Sequence, residues 1–186
     1  MKNLDEADRK IVTLLAENPD ISQREIAHHL KMSQPAIYTR IKRLRNTGII
    51  AHQIGLNLKR ADFHMVKIEM TAKDPWKVLD FFENCPMYLN GLITSGKHNL
   101  CLFFISEKLQ AIESCINHHI RENPNVTEVE FNVVTTLASN FVVPVKLWHE
   151  KKETSPCGKR CTDESCYLSE KCLGCPATMF YKGKNF

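Results

Sequence analysis

Long apolar runs are missing from this chain of 186 residues. No stretch is apolar over the roughly 20 residues that a membrane-spanning helix needs, and the N-terminus does not resemble a secretory signal peptide, so we expect a cytoplasmic protein without membrane contact. Paired carboxylates, a nucleophile elbow and a glycine-rich phosphate loop are absent too, which leaves no recognisable catalytic site. The length suits one small and one medium domain, each with its own core.

Acidic residues are scarce at one end of the chain. Residues 1–60 carry 11 Lys and Arg against 6 Asp and Glu, residues 61–150 carry 7 against 11, and the remainder carries 7 against 4, so the net charge of +4 hides a strong asymmetry. Cations concentrated in the first part favour attraction to phosphate there and protein contacts elsewhere.

Three short helices are predicted in that first part. Asp5 fits the N-cap of the first helix, which ends at the cluster Asn18-Pro19-Asp20. Ser22 and Glu25 fit a capping box at the start of the second helix, and Ser33 fits the N-cap of the third. The tight turn between the second and third helices is typical of a helix-turn-helix.

The third helix has a cationic face. Ile37, Ile41 and Leu44 recur at helical spacing and should face the other two helices. The opposite side is aimed outward, and no acidic residue interrupts it, so the helix fits the major groove of duplex DNA. An ordinary three-helix unit with a solvated basic face is the alternative. The candidate DNA-binding residues are Gln34, Pro35, Ala36, Tyr38, Thr39, Arg40, Lys42, Arg43 and Arg45.

Within this set, we expect some side chains to contact bases and others to contact phosphates. Arg can bond a guanine edge in two places and Thr can touch a thymine methyl, so Thr39 and Arg43 are the predicted base readers. Gln34, Lys42 and Arg45 are predicted to hold phosphates.

Several motifs together resemble the Lrp/AsnC family of transcriptional regulators. They are Leu4-Asp5-x-x-Asp8-Arg9-Lys10-Ile11, Ser33, Arg40-Ile41-x-Arg43-Leu44 and Gly48-Ile49-Ile50. The resemblance covers about residues 3–147 and implies an α+β chain: a winged or three-helix helix-turn-helix domain (residues 1–50), a connecting strand or linker (51–62) and a ferredoxin-like effector and oligomerisation domain of β-α-β-β-α-β order (63–148). Residues 149–186 form an added cysteine-rich tail.

The middle of the chain fits the implied order. Residues 64–70 alternate between apolar and charged, as a half-buried strand does. A helix should start at Asp74-Pro75, strands should cover residues 87–94 and 100–105, and a second helix and a last strand should follow. One sheet face is then covered by the helices and the other is free to meet a second subunit, so we expect a homodimer or a higher homo-oligomer.

The sequence of one turn leaves open whether the protein binds a small-molecule effector. Members of the resembled family often bind an amino acid near a Gly-x-x-Asp turn, but here the turn is Gly96-Lys97-His98-Asn99, which lacks the carboxylate that would pair with an α-ammonium group. A plain turn between two strands is the alternative. The candidate effector residues are Thr94, Ser95, Lys97, His98 and Asn99, with Thr135 and Thr136 as neighbours.

The tail crowds five of the eight cysteines into residues 157–175, at Cys157, Cys161, Cys166, Cys172 and Cys175. In a reducing compartment, thiolates two to five residues apart more often converge on a metal ion than form structural disulfides. The tail has few apolar residues, so four thiolates around Zn²⁺ would supply folding free energy and leave the fifth spare. An iron–sulfur cluster and a metal-free thiol switch are the alternatives. Metal or redox state could then be the signal.

The remaining sulfur, imidazole and indole groups have plainer interpretations. Three cysteines within the predicted helices and core strand are interpreted as small buried hydrophobes, namely Cys85, Cys101 and Cys115. Two adjacent histidines, His118 and His119, are expected to face solvent, while His149 could replace a thiolate of the tail. Both tryptophans, Trp76 and Trp148, are interpreted as packing anchors.

The predicted function is therefore a sequence-specific, DNA-binding transcriptional regulator. Two alternatives come from other classes. Sirohaem decarboxylases resemble this two-domain architecture, and His98-Asn99-Leu100 resembles their substrate loop, but the cations of the third helix favour DNA. An architectural DNA-binding protein would instead bind many sites with little sequence preference.

Overall fold

A computed structural model describes residues 4–186 and divides the chain into two compact units, one ending at Gln53 and the other beginning at Ile54. None of the helices within residues 4–186 has both the length and the apolar character needed to cross a membrane.

The first unit is built from α1 (Glu6–Glu17), α2 (Gln23–Leu30) and α3 (Gln34–Asn46). The predicted caps are confirmed: Asp5 and Ser22 each form a capping box, and the Ser33 hydroxyl accepts the N–H of Ala36. Between α2 and α3, Lys31 adopts a left-handed conformation with φ of 53°, which makes the sharp turn. The unit closes around a small apolar core of Ile11, Ile26, Ala27, Ile37, Ile41 and Leu44.

The second unit contains a four-stranded antiparallel sheet. Its elements are β1 (Leu56–Asn57), β2 (His64–Ala72), α4 (Pro75–Phe82), β3 (Tyr88–Ile93), β4 (Leu100–Ser106), α5 (Leu109–Ile116), β5 (Val126–Val133) and β6 (Val142–Val143). The sheet order is β3-β4-β2-β5, and β1 pairs with β6 in a separate two-stranded ribbon. The run β2-α4-β3-β4-α5-β5 confirms the predicted ferredoxin-like order.

One face of this sheet is buried under α4 and α5. Alternate residues of β2 and β4 point into this layer, and the helices meet them with Val78, Phe82, Ile112 and Ile116. A single π-helical turn, Asn117–Arg121, continues α5 and keeps Ile120 fully buried. The helices therefore cover this side of the sheet completely at its two central strands, β2 and β4.

The opposite face is partly covered by the same chain, so the prediction of a wholly free face needs correction. Leu58, Met65 and Ile105 form a second buried cluster, against which residues of the β1–β6 ribbon and Phe186 pack. The ribbon contributes Leu56 and Val143 to this cluster. At the β3 edge, Leu92 remains 48% exposed.

The tail belongs to the second unit and packs against its ferredoxin-like fold. Its helical segments are short: a 3-10 turn at Cys161–Asp163 and α6 (Ser165–Leu168). The Tyr167 hydroxyl donates to the carbonyl of Phe180 at 2.8 Å. Near the C-terminus, the Glu107 carboxylate accepts the Tyr181 hydroxyl and the backbone N–H groups of Lys184 and Asn185. Hydrogen bonds therefore hold the tail in place where its apolar side chains are few.

Some plainer interpretations of single residues are wrong. Cys85 lies in the turn after α4 rather than within a helix, whereas Cys101 and Cys115 lie on β4 and α5. Trp76 and Trp148 are 67% and 74% exposed, so they are not packing anchors.

The buried layer gives a stability prediction. Phe82 is 1% exposed, and its ring meets those of Tyr88 and Phe104. Phe82→Ala should lower the free energy of unfolding of the second unit by about 3–5 kcal/mol, because it leaves a cavity in the packed layer. Urea denaturation measures this loss, and Trp76→Ala on the exposed side of α4 should change stability by no more than about 0.5 kcal/mol. Equal losses would contradict the assignment of the core.

Candidate nucleic-acid interface and cysteine chamber

The outward face of α3 is polar and cationic. Seven of the nine candidate residues are exposed there, among them Tyr38 at 50%, while Ala36 and Arg40 are half-buried. The Thr39 hydroxyl donates to the Pro35 carbonyl at 2.9 Å, and the Lys42 ammonium lies 5.9 Å from the centroid of the Tyr38 ring. These local contacts restrict side chains that would otherwise move freely in solvent.

Two cations of α3 are paired with carboxylates at the start of α1. Arg40 Nη1 lies 2.6 Å from Asp5 Oδ2 and 2.8 Å from Asp8 Oδ1, and Arg43 Nη2 bonds the other oxygen of Asp8. The Asp8 side chain is only 1% exposed, whereas the Arg43 side chain is 51% exposed. Asp8 therefore anchors one end of a guanidinium whose other N–H donors remain available.

The electrostatics keep Asp8 ionised. Burial alone would raise the pKa of Asp8, but hydrogen bonds from Arg40 and Arg43 outweigh it and hold the pKa below its ordinary value. The backbone N–H of Asp8, followed by Arg40, lowers the pKa of Asp5. A charged network therefore links the first turn of α1 to α3.

Sequence reasoning missed this network, although a signal existed. Asp8 precedes the buried Ile11 by three residues, so both side chains lie on the face of α1 that packs against α3. An acidic residue on that inward face needs a partner, and the arginines of α3 were the available cations.

The candidate effector turn is held mainly by its own polar groups. The Asn99 side chain bonds both backbone groups of Ala72 at 2.8 Å, and the Thr94 hydroxyl donates to the carbonyl of His98 at 2.7 Å. Two acids of β5 lie beside the turn, and the carboxylate of one of them, Glu130, lies 3.1 Å from His98 Nε2. Lys97 lies 3.9 Å from Glu128, while Ser95 is exposed. The observed partners of the turn come from β2 and β5.

Seven cysteines meet at one cavity of about 90 Å³ in the second unit, which we call the cysteine chamber. Its walls include the side chains of Phe81, Phe82, His118 and His119 from the ferredoxin-like fold. The five tail cysteines line it together with two that sequence analysis had given no role: the thiols are Cys85, Cys115, Cys157, Cys161, Cys166, Cys172 and Cys175. Proximity of Cys85 and Cys115 to the tail could not be read from sequence spacing.

Hydrogen bonds fix several sulfurs of the chamber. Ser155 Oγ lies 3.0 Å from Cys157 Sγ, and the Ser114 hydroxyl donates to Cys166 Sγ at 2.8 Å. Backbone N–H groups approach two more sulfurs, at 3.3 Å for Cys161 and 3.4 Å for Cys172. Cys85 and Cys115 line the same cavity and both pack against the buried layer.

The thiols differ in acidity. Burial would raise the pKa of Cys157, but hydrogen bonds from His119, Ser155 and the backbone of Lys159 bring it down to about 7. Burial raises the pKa of Cys172 to about 11 and that of Cys175 to about 12, and neighbouring cysteines add to both increases. Ionising several of these thiols together is therefore costly unless a cation is present.

The histidines are arranged differently from expectation. His119 packs its ring 5.1 Å from that of Phe81 and lines the same cavity as Cys157, and His118 lies 3.5 Å from Glu164, so this pair faces the tail rather than solvent. His149 lies in a neighbouring cleft beside Lys146. Within residues 4–186, no three His, Cys, Asp or Glu side chains are already converged on one metal position.

Comparison with known proteins agrees with the fold and the first unit. A winged helix-turn-helix DNA-binding family model matches residues 4–51. An uncharacterized HTH-type transcriptional regulator of Pyrococcus abyssi is 39% identical over 110 residues, which are 59% of this chain and 69% of that protein. The regulator LrpC of Bacillus subtilis is 26% identical over 137 residues, 72% of this chain and 95% of LrpC.

Solved structures share the architecture. AsnC of E. coli superposes with a TM-score of 0.64 at 18% identity, over 76% of this chain and 98% of AsnC. LrpC of B. subtilis gives 0.62 at 22% identity, over 74% and 98%. The molecule is thus a helix-turn-helix transcriptional regulator with a ferredoxin-like second domain. It belongs to the Lrp/AsnC family, whose matched members here are regulators and not enzymes.

The Asp8 network gives a pH-dependent prediction. Because the folded-state pKa of Asp8 is depressed, its contribution to stability is present above its unfolded value of 3.8 and is lost as pH falls through the folded value. Asp8→Asn should cost the first unit about 2–3 kcal/mol at pH 7, since it breaks a buried charged hydrogen-bond pair. Denaturant unfolding at pH 7 and at pH 3 checks this. The variant should lose less stability than wild type between those pH values, and Asp20→Asn, on the exposed α1–α2 turn, serves as the control.

Proposed function

We propose that this regulator reads specific duplex DNA sequences through α3. Thr39 and Arg43 contact base edges in the major groove, while Gln34, Lys42 and Arg45 hold phosphates. The observation that carries this assignment is the half-exposed Arg43 guanidinium, tied at one end to the buried Asp8.

A fixed guanidinium is better suited to reading a base than a free one. An unpaired surface arginine loses rotamer entropy when it binds, whereas Arg43 is already restrained by an ion pair. Arg43 also retains N–H donors beyond the one that bonds Asp8, and a guanine edge accepts two such bonds. Arg40 is 28% exposed and bonds two carboxylates, so its main part is to hold α3 against α1.

Two substitutions on α3 separate base reading from phosphate contact. Arg43→Ala should weaken binding to the preferred sequence by about 1–3 kcal/mol and relax the preference at one base pair. Lys42→Ala should weaken binding to all sequences alike. Selection of bound sequences from a random pool, followed by fluorescence anisotropy, measures both effects, with Lys73→Ala in the second unit as the charge-matched control.

The possible results discriminate between functions. If both variants lose affinity equally on preferred and random DNA, the protein is an architectural DNA binder and the base-reading assignment fails. If folded wild-type protein binds no double-stranded fragment even at low ionic strength, α3 does not serve as the DNA-binding surface.

We also propose that the second unit joins subunits into a homodimer or a higher homo-oligomer. Leu92 is exposed on the sheet face opposite α4 and α5, in register with Cys101. The β1–β6 ribbon covers only part of this face. Burial of the Leu92 side chain against a second copy of the chain would therefore stabilise an oligomer.

Leu92→Asp should weaken self-association at least about tenfold, because a carboxylate would be buried in an apolar contact. Light scattering coupled to size exclusion over a concentration series measures the effect. Leu168→Asp, at a more exposed position in α6, should leave the assembly intact. Equal assemblies in all three proteins would place the interface elsewhere.

The signal that the protein senses is, in our proposal, the metal state of the tail. Zn²⁺ is the proposed cofactor, held by thiolates that include tail cysteines. A structural neighbour from Neisseria meningitidis was determined as an L-Met complex, but in this chain Asn99 and Thr94 are engaged in holding the turn itself. DNA affinity measured before and after anaerobic chelation tests the proposal, and unchanged affinity and sequence preference would refute a metal signal.

A further inference from the structure

Two cysteines of the tail are joined by a backbone hydrogen bond. The chain leaves α6 through an exposed turn, in which Glu170 adopts a left-handed conformation with φ of 58°. The carbonyl of Cys166 then accepts the backbone N–H of Lys171 at 2.9 Å and that of Cys172 at 3.0 Å. The turn thereby returns Cys172 to the side of Cys166.

This hydrogen bond sets an upper limit on the distance between the two Cα atoms. The N–O distance of 3.0 Å and standard bond lengths at both ends keep the Cα atoms of Cys166 and Cys172 within about 7 Å of each other. Disulfides usually join cysteines whose Cα atoms are about 4.4–6.8 Å apart, and pairs beyond about 7 Å need backbone movement. The backbone therefore already holds these two cysteines within bridging range.

Both side chains face the helices of the ferredoxin-like fold. Cys166 Sγ accepts the hydroxyl of Ser114 on α5 at 2.8 Å, and Cys172 packs against the buried layer to which α5 belongs. Both cysteines line the cysteine chamber, and both are partly exposed, so a small molecule can reach them from solvent. Both are free thiols in the structure. The pair is thus a dithiol whose two members approach the same wall of the cavity.

A second pair of chamber cysteines is connected less closely. The backbone N–H of Cys175 donates to Cys161 Sγ at 3.3 Å, and the same sulfur lies 3.5 Å from the Thr178 hydroxyl. Because this contact runs through a side chain, standard bond lengths allow a Cα separation beyond about 7 Å. Backbone geometry therefore favours a disulfide between Cys166 and Cys172 over one between Cys161 and Cys175.

We propose that Cys166 and Cys172 form a redox-active dithiol that is reversibly oxidised to a disulfide by exchange with a low-molecular-weight disulfide. One thiol of the pair loses its proton to solvent and attacks a sulfur of the small disulfide, whose S–S bond breaks and whose other half leaves as a thiolate. The second thiol then loses its proton, attacks the mixed disulfide and expels the remaining half. The two cysteines lose two electrons, and the small disulfide gains them as it becomes two thiols.

Closing this disulfide changes a contact between the tail and α5. The Cys166 sulfur must turn toward Cys172, so it gives up the hydrogen bond from the Ser114 hydroxyl. A neighbouring contact between α5's π-helical extension and the tail, His118 with Glu164 at 3.5 Å, does not involve sulfur and remains. The oxidation state of the dithiol therefore alters how the tail is attached. The inference goes beyond the metal signal proposed above, because neither step of the exchange needs a metal ion.

The test maps the disulfides that form in the full chain in a glutathione redox buffer. Reduced protein is freed of metal by anaerobic chelation, equilibrated with glutathione disulfide and about 1 mM glutathione, alkylated and digested for mass spectrometry. The Cys166–Cys172 disulfide should exceed glutathione adducts on this pair at least about tenfold, because a neighbouring thiol acts at a higher effective concentration than the buffer. Dithiothreitol should reverse it. Cys101→Ser, on β4 and outside the chamber, is the matched control and should behave as wild type.

Two variants test the assignment further. Cys172→Ser should stop at a glutathione adduct on Cys166, because the thiol that completes the exchange is missing. Ser114→Ala should shift the equilibrium toward the disulfide by about threefold to tenfold, since it removes a hydrogen bond that only the reduced protein makes. Circular dichroism confirms that each variant is folded, and the wild-type disulfide map tests the proposal without any substitution.

Other results overturn the dithiol. If the wild-type chain forms no internal disulfide, or joins Cys161 to Cys175 instead, the assignment of Cys166 and Cys172 is wrong. If no disulfide forms while chelation still changes DNA affinity, the dithiol fails and the proposed metal signal stands. If the Cys166–Cys172 disulfide forms while chelation leaves DNA affinity unchanged, the metal signal fails and the dithiol stands.

Discussion

The packing of α4 and α5 against one face of the sheet is the constraint on which the second unit depends. The buried residues of β2 and β4 require a covering layer, and the two helices supply it with Phe82, Ile112 and Ile116. Because the same layer places the end of α4 beside α5, it also brings Cys85 and Cys115 to the wall of one cavity. The chamber is thus positioned by the core, and the tail is added to a surface that packing has already arranged.

Both candidate sites use a buried or half-buried side chain to restrain a more exposed one. Asp8 is held by the cap of α1 and fixes the end of Arg43, and Ser155, 5% exposed, lies against Cys157. Such restraint reduces the entropy lost when a base or an ion binds. The polar groups that serve function are therefore supported by residues whose own role is structural.

Much of the fold followed from local chemistry that a sequence displays. Caps at Asp5, Ser22 and Ser33, the alternation of β2 and the apolar run of β4 each depend on neighbours in the chain, and the structure confirms them. Asp8 pairs with residues of α3 that are 32 to 35 positions away in the chain. Cys85 lies beside the tail because the layer of helices brings both to one cavity. Spacing alone does not carry that information.

The ion pairs between α1 and α3 also change how strongly DNA binding through α3 should depend on salt concentration. Four cations lie on the helix, but Asp5 and Asp8 already neutralise Arg40 and Arg43 in the free protein. Fewer condensed counterions then leave the duplex on binding than a count of arginines and lysines suggests. DNA binding then depends less on non-specific attraction to phosphate and more on the fit between α3 and the base edges. Occupancy of a preferred sequence therefore becomes less sensitive to changes in cellular salt.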